Sequence, residues 1–235
     1  MAAVRVVVWN VQWRLPQSEV GRAINDVIRR EQADLVFLIE GHLGSLELNE
    51  IASHPNYGYG VGRRRKALLY SSAPWSDAAT MADSSMPSGR FVSGRTAVNG
   101  VDILCCAVCV PWKMAHVSSG RRDRHPWEDH RLFLEGFSTL ELFSGSMPTI
   151  VAGDFNQHLP RRTAPLAIHD LLVRSMPTSL RCITSGRIGG GHHSIDHIFV
   201  SHHFKVSEVR TISNIGPDGR RLSDHVGLAV DLSIS

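Results

Sequence analysis

Seven polar residues sit at the ends of apolar runs in this chain, and their types share one chemistry. Asn10 follows Val4 to Trp9, Glu40 ends the run DLVFLIE, and Asp154 and Asn156 follow the run that closes at Ala152. Asp196 opens the run to Ser201, and Asp224 with His225 precedes the last run. Carboxylates and carboxamides gathered at strand ends are what a hard divalent cation takes, because Mg²⁺ binds oxygen ligands and keeps several waters. Any one of them alone reads as a turn former, and Gly153 to Asn156 alone as an Asx turn. The ordered set carries the expectation of a metal site.

These residues need elements to position them. Val4 to Trp9 and Asp34 to Glu40 read as strands buried on both faces. Between them Ser18 caps a predicted helix in which Val20, Ile24, Val27 and Ile28 share a face and Arg29 and Arg30 suit the C-terminal dipole. Strand, helix, strand is an α/β beginning. Further strands are predicted at Lys66 to Ser71, Phe91 to Val98, Val101 to Val110, Met147 to Ala152, Ile195 to Ser201 and Val226 to Ile234. Asn99-Gly100 is a type I′ hairpin signal. A polar, basic loop from Pro111 to Pro126 leads into a helix from about Trp127, with an apolar stripe of Leu132, Phe133, Phe137, Leu140 and Phe143.

Composition bounds the class. With 235 residues, 43% hydrophobic and 20% charged, the chain is a globular one, read as a single mixed α/β domain over 1–235. No run approaches the ~20 apolar residues of a membrane span, and the N-terminus reads as a first strand rather than a signal peptide, so a cytoplasmic protein without membrane contact is expected. Of four cysteines, Cys105, Cys106 and Cys109 crowd one apolar run, which is the pattern of reduced core thiols. A net charge of +3 permits a polyanionic partner. Nothing points to an obligate protein partner, and a monomer is expected.

The series W-N, L-I-E, G-D-F-N, I-D-H-I and S-D-H, in that order from Asn10 to His225, resembles the endonuclease/exonuclease/phosphatase superfamily. Arg64 to Trp75 and Pro111 to His130 resemble a bacterial branch of it without an assigned substrate. The resemblance implies an α/β (α+β) four-layer sandwich, two packed mixed β-sheets flanked by helices as in deoxyribonuclease I, with the site at one sheet edge. It implies that Glu40 holds Mg²⁺ (or Mn²⁺) with Asn10 beside it and Asp224 as a further metal-side carboxylate. Asp154 and Asn156 then orient the attacking water and contact the scissile phosphate, while Asp196 hydrogen-bonds a catalytic His225. Such a set neutralises charge on phosphoryl oxygens, generates a nucleophile and holds it in line. Either His225 or Asp154 can be the base.

Two positions depart from that pattern. Gln12 stands where abasic-site enzymes carry an Asp, which weakens any second metal contact. Cys109 stands at a strand end where many members place a His, or a Tyr, to donate to the phosphate, and a thiol is a weak donor. Two rival readings follow. His192 to His197 approaches the H-x-H-x-D-H signature of metallo-β-lactamase-type hydrolases, but Ser194 occupies the second His position. A binding module that has lost turnover is the other, with Cys109 in its favour.

The substrate reading rests on the loops. In the basic run Arg63 to Lys66, Arg63 and Arg64 read equally as a solvated face. Trp112, His116, Arg121 and Arg122, with Arg131 on the helix that follows, are candidate substrate contacts, since cations with stacking groups suit a nucleic-acid strand. The expectation is a metal-dependent phosphodiester hydrolase, a nuclease on DNA or another nucleic acid. The alternative is a phosphatase or phosphodiesterase acting on a phosphorylated small molecule or lipid headgroup.

Overall fold

The computed structural model describes residues 2–58, 62–81, 85–143 and 145–234. In its first half the elements are β1 (Ala2–Asn10), α1 (Glu19–Glu31), β2 (Leu35–His42), β3 (Asn49–Ala52), β4 (Arg64–Ser71), β5 (Ser76–Ala79), β6 (Phe91–Val98) and β7 (Val101–Cys109). There follow α2 (Glu128–Ser138), β8 (Thr149–Asp154), α3 (Leu166–Ser175), β9 (Leu180–Cys182), β10 (Asp196–Ser201), β11 (Phe204–Ile212) and β12 (Gly227–Ile234).

The strands form two six-stranded mixed sheets, in the orders β11-β12-β1-β2-β4-β3 and β5-β6-β7-β8-β10-β9. Alternation along each strand explains how the sheets face each other, since successive side chains point to opposite faces. Val4, Val6 and Val8 of β1 meet Cys105, Ala107 and Cys109 of β7 in the core between the sheets. Val7 and Trp9 point outward, where Ile24 and Ile28 of α1 cover them. Cys106 and Val108 likewise point outward, against Phe133 and Phe137 of α2 and Leu172 of α3. This is the expected four-layer sandwich. The cysteines are free thiols, three of them buried in its layers.

Local signals in the sequence are realised. Ser18 Oγ accepts from Gly21 N at 3.0 Å and starts α1, which ends with Arg29 and Arg30. Asn99 (φ 51°) and Gly100 (φ 79°) both adopt the positive φ of a type I′ turn between Val98 and Val101. The stripe expected after Trp127 is divided: α2 ends at Ser138, so Leu140 and Phe143 reach the same apolar cluster from the chain beyond the helix. β3, β5, α3, β9 and β11 were not expected from the sequence. Among the described residues no helix is long and apolar enough to cross a membrane.

Candidate active site

The motif residues converge where the two sheets meet at one edge. β8 and β10 are antiparallel neighbours with Asp154 directly opposite Asp196. Asp154 Oδ2 accepts from Asn10 Nδ2 of the other sheet at 3.1 Å, and its Oδ1 accepts from Asn156 N at 2.8 Å. Asp196 Oδ2 lies 2.7 Å from His225 Nδ1. The backbone of that histidine is fixed as well: Trp9 Nε1 donates to His225 O at 3.0 Å, and Ser223 Oγ both accepts from His225 N and donates to Asn10 O. Gly153 allows this approach, because a Cβ there would stand 1.9 Å from Val108 O, at φ 145°.

Burial sets the charges. Burial together with the charge of Asp196 pushes the Asp154 carboxyl up to about 7, against the opposing pull of His225. For His225 burial works against the cation, but Asp196, Asp154 and Asp224 outweigh it and push the imidazole up to about 10. His225 is therefore an imidazolium at neutral pH, held by Asp196.

Glu40 adopts φ 52° at the end of β2, and its Oε1 accepts an ion pair from Lys66 Nζ at 2.5 Å. The Lys66 ammonium also stands 4.8 Å over the Trp13 ring, which is stacked on Tyr57. Asp224 is half-exposed, with Oδ1 3.9 Å from His225 Nε2. One oxygen of Asp154, one of Asp196 and a nitrogen of His225 lie within 4.8 Å of one another, and the buried Asp196 Oδ1 has no hydrogen-bond partner. An oxygen-rich cluster with an unsatisfied carboxylate oxygen fits a divalent cation.

The substrate candidates divide. Trp112 is 42% exposed and, with Trp127, Lys113 and Asn156, lines a cleft of about 400 Å³. His158 and Ile195 belong both to that cleft and to a second one of about 350 Å³, lined also by His192, His193, Asp224 and His225. Cys109 lies at the site, level with Asp154, but burial pushes its thiol up to about 12, so it stays neutral. His116 is buried, with Nδ1 on the buried Asp129 rather than at the cleft surface. Arg121 is exposed and pairs with Asp123, Arg122 is exposed at φ 59°, and Arg131 pairs with Glu135 one turn along α2. Arg131 is thus engaged on the helix surface.

The sequence reading missed Lys66, His158, His192 and His193 as site neighbours. Lys66 lay in a basic run that reads as a solvated face. His158 carried a usable signal, two residues beyond Asn156, and His192 and His193 carried one in the run His192 to His197, which the sequence assigned to the rival metallohydrolase reading.

Two mixed sheets packed face to face, with a His-Asp pair and carboxylates where they meet, are the deoxyribonuclease I-like architecture. The chain belongs to the Endonuclease/Exonuclease/phosphatase family, whose model matches residues 7–225. The human nocturnin catalytic domain is similar in fold, at TM-score 0.72 and 16% identity, covering 100% of this chain and 94% of that one. An endonuclease/exonuclease/phosphatase from Bacteroides vulgatus aligns at TM-score 0.69 and 16% identity over 100% of both chains. D. rerio TDP2 complexed with single strand DNA product aligns at TM-score 0.64 and 13% identity, over 98% of this chain and 99% of that one. No curated protein sequence matches the chain.

Proposed function

We propose that the chain is a divalent-metal-dependent phosphodiester hydrolase that acts on a nucleic-acid strand, most of all DNA, working as a single-domain monomer in the cytoplasm. The observation that carries this reading is the part-buried His225–Asp196 pair facing Asp154 where the two sheets meet. The adjoining clefts add stacking groups in Trp112 and Trp127 and imidazoles in His158, His192 and His193, a mixture suited to bases and phosphates. A neighbour in fold, D. rerio TDP2, is described with a single-strand DNA product.

Mg²⁺ or Mn²⁺, when bound, neutralises charge on phosphoryl oxygens, and Asn10, Glu40 and Asp224, beside Asp154 and Asp196, are the oxygen donors that would hold it. The remaining work belongs to the chain. His225, kept charged by Asp196, donates to a phosphoryl oxygen as negative charge builds there. Asp154, directly opposite Asp196 and beside the His225 pair, accepts the proton of the attacking water. Asn156 is fixed by its Nδ2 donating to Val110 O at 2.9 Å and holds that loop against the substrate. Lys66 neutralises Glu40 until the site fills.

A panel of plasmid, single-stranded and abasic DNA, RNA and phosphoinositides, each with Mg²⁺ and with EDTA, tests the reading. Metal-dependent cleavage of nucleic acid is expected. Hydrolysis of phosphoinositides alone would move the protein to the phosphatase alternative, and tight binding without hydrolysis of any of them would make it a binding module.

A further inference from the structure

The ion pair between Lys66 and Glu40 joins a candidate metal ligand to a lysine that belongs to none of the motifs. β2 and β4 are antiparallel, with Ile39 opposite Ala67 and Gly41 opposite Arg65, so Glu40 and Lys66 stand across from each other between those two pairs. Ile39 and Ala67 pack into the core between the sheets. One residue further toward the edge, the charges of Glu40 and Lys66 are both felt by Cys109, and that of Glu40 also by Asp154. The pair therefore adjoins the site.

The ammonium is enclosed. Lys66 and Glu40 expose 11% and 19% of their side chains, and Nζ, 2.5 Å from Glu40 Oε1, also lies 4.8 Å over the Trp13 ring and 5.6 Å over that of Tyr57. Trp13 is itself tied to the carboxylate's backbone, since its N donates to Glu40 O at 2.7 Å. Two stacked rings favour a desolvated cation at their faces, so they hold the lysine against Glu40. A protonated amine has three donors and no acceptor, and it cannot be a metal ligand. A divalent cation drawn to Glu40 meets a fixed like charge where solvent screens it poorly, with one carboxylate oxygen already engaged.

We propose that Lys66 is a resident counter-cation of Glu40 that competes with the metal, so that the metal binds weakly and reversibly while the metal-free protein keeps Glu40 compensated. The inference rests on the metal-dependent reading above and adds its control: residue 66 sets how tightly the site holds its cation. Lys66 acts through Glu40 and is a positioning residue. The arrangement also answers a folding problem, because a largely buried carboxylate without a counter-charge is costly.

The test measures Mn²⁺ binding to the full, metal-stripped chain without substrate, from the loss of the free-ion signal in electron paramagnetic resonance, in the wild type and in Lys66→Gln, Lys66→Met and Lys66→Arg. Both neutral variants should bind Mn²⁺ about tenfold more tightly, because the like charge has gone, while Lys66→Arg should stay within about twofold of wild type. Thermal melting gives a second reading. Without metal Lys66→Met should melt below wild type, since Glu40 loses its counter-charge, and saturating Mn²⁺ should return it to the wild-type temperature or above. Affinity within about twofold of wild type in both neutral variants would overturn the inference, and so would weaker binding, which would make Lys66 a support for Glu40. Failure of both to fold even in Mn²⁺ would overturn it too, since Lys66 would then be a structural cation. No Mn²⁺ binding in any form would overturn both the inference and the metal assignment. Neither arm needs turnover: tighter binding by the neutral variants of a protein inert on every diester would uphold the competition and defeat the hydrolase reading, whereas equal binding beside metal-dependent cleavage would leave only the hydrolase reading standing.

Discussion

His225 Nδ1 lies 2.7 Å from Asp196 Oδ2 although the two residues belong to different sheets, Asp196 opening β10 and His225 standing just ahead of β12. The pair therefore exists only when the sheets are packed in register. It both reports the sandwich and, on the proposed reading, performs the chemistry.

The first prediction follows from that pairing. Asp196→Asn leaves the geometry but removes the charge that keeps His225 protonated, whereas His225→Ala removes the donor itself. Residues that act as a unit lose their effect together, so each single variant should lose a similar factor in kcat and the double variant little more. Multiplicative losses in steady-state kinetics would show that the two act separately.

Metal removal is the second. With carboxylates of Glu40, Asp154, Asp196 and Asp224 at one edge, Mg²⁺ or Mn²⁺ should raise the melting temperature as well as support turnover, by ordinary binding linkage. Glu40→Gln should blunt the thermal shift and cost activity. Full activity in EDTA would defeat the metal assignment.

The basic loop gives the third, and the structure divides its arginines. Arg124 is anchored to Glu128 and to the buried Asp129, so Arg124→Ser should lower stability. Arg121 and Arg122 are exposed, and the Arg121–Asp123 pair is a surface one of small worth. Replacing both by Ser should flatten the salt dependence of polyanion binding by roughly one unit of log-log slope per lost phosphate contact, with little change in melting temperature. An unchanged slope in a binding titration would move the surface elsewhere.

The legible parts of this molecule were those where one local rule spoke alone. Ser18 before an amphipathic stretch, Asn99-Gly100 between two β-rich runs and the buried runs ending in Asn10, Glu40 and Asp154 each needed no knowledge of distant chain. β11 was illegible because it is an edge strand whose residues Ser207 to Arg210 are mostly polar, and α3 because Pro165 supplies no side-chain cap. Lys66 was illegible for a different reason: a cation near the start of a strand looks like surface, and its pairing with Glu40 shows only in the fold. His116 erred the opposite way: it sits in a polar loop, yet Asp129 draws it into the interior.

The last prediction concerns pH and the support beneath the Asn156 loop. His130 Nδ1 donates to Pro111 O at 2.7 Å, so its Nε2 accepts from Gln157 Nε2 at 2.6 Å, and Gln157 O in turn accepts from His197 Nε2 at 2.9 Å. Burial lowers the His130 imidazole to about 4, with Arg90 adding to the fall and the Pro111 carbonyl opposing it. Protonation at Nε2 would set two donors against each other. Because the folded value lies below the ordinary 6.5, this group's contribution is complete above pH 6.5 and shrinks as pH falls toward 4, the unfolded chain taking up the proton first. The loss is about 1.4 kcal/mol per unit, or roughly 3 kcal/mol across the window. His130→Phe should be less stable at pH 7, since Pro111 O and the Gln157 amide lose their partner. Its deficit against wild type should narrow by about that slope between pH 6.5 and 4.5 in urea unfolding, because Phe takes up no proton in either state. A deficit that stays constant over this range would mean that His130 titrates alike in both states, and that the relay from Pro111 to His197 is not held by a neutral imidazole.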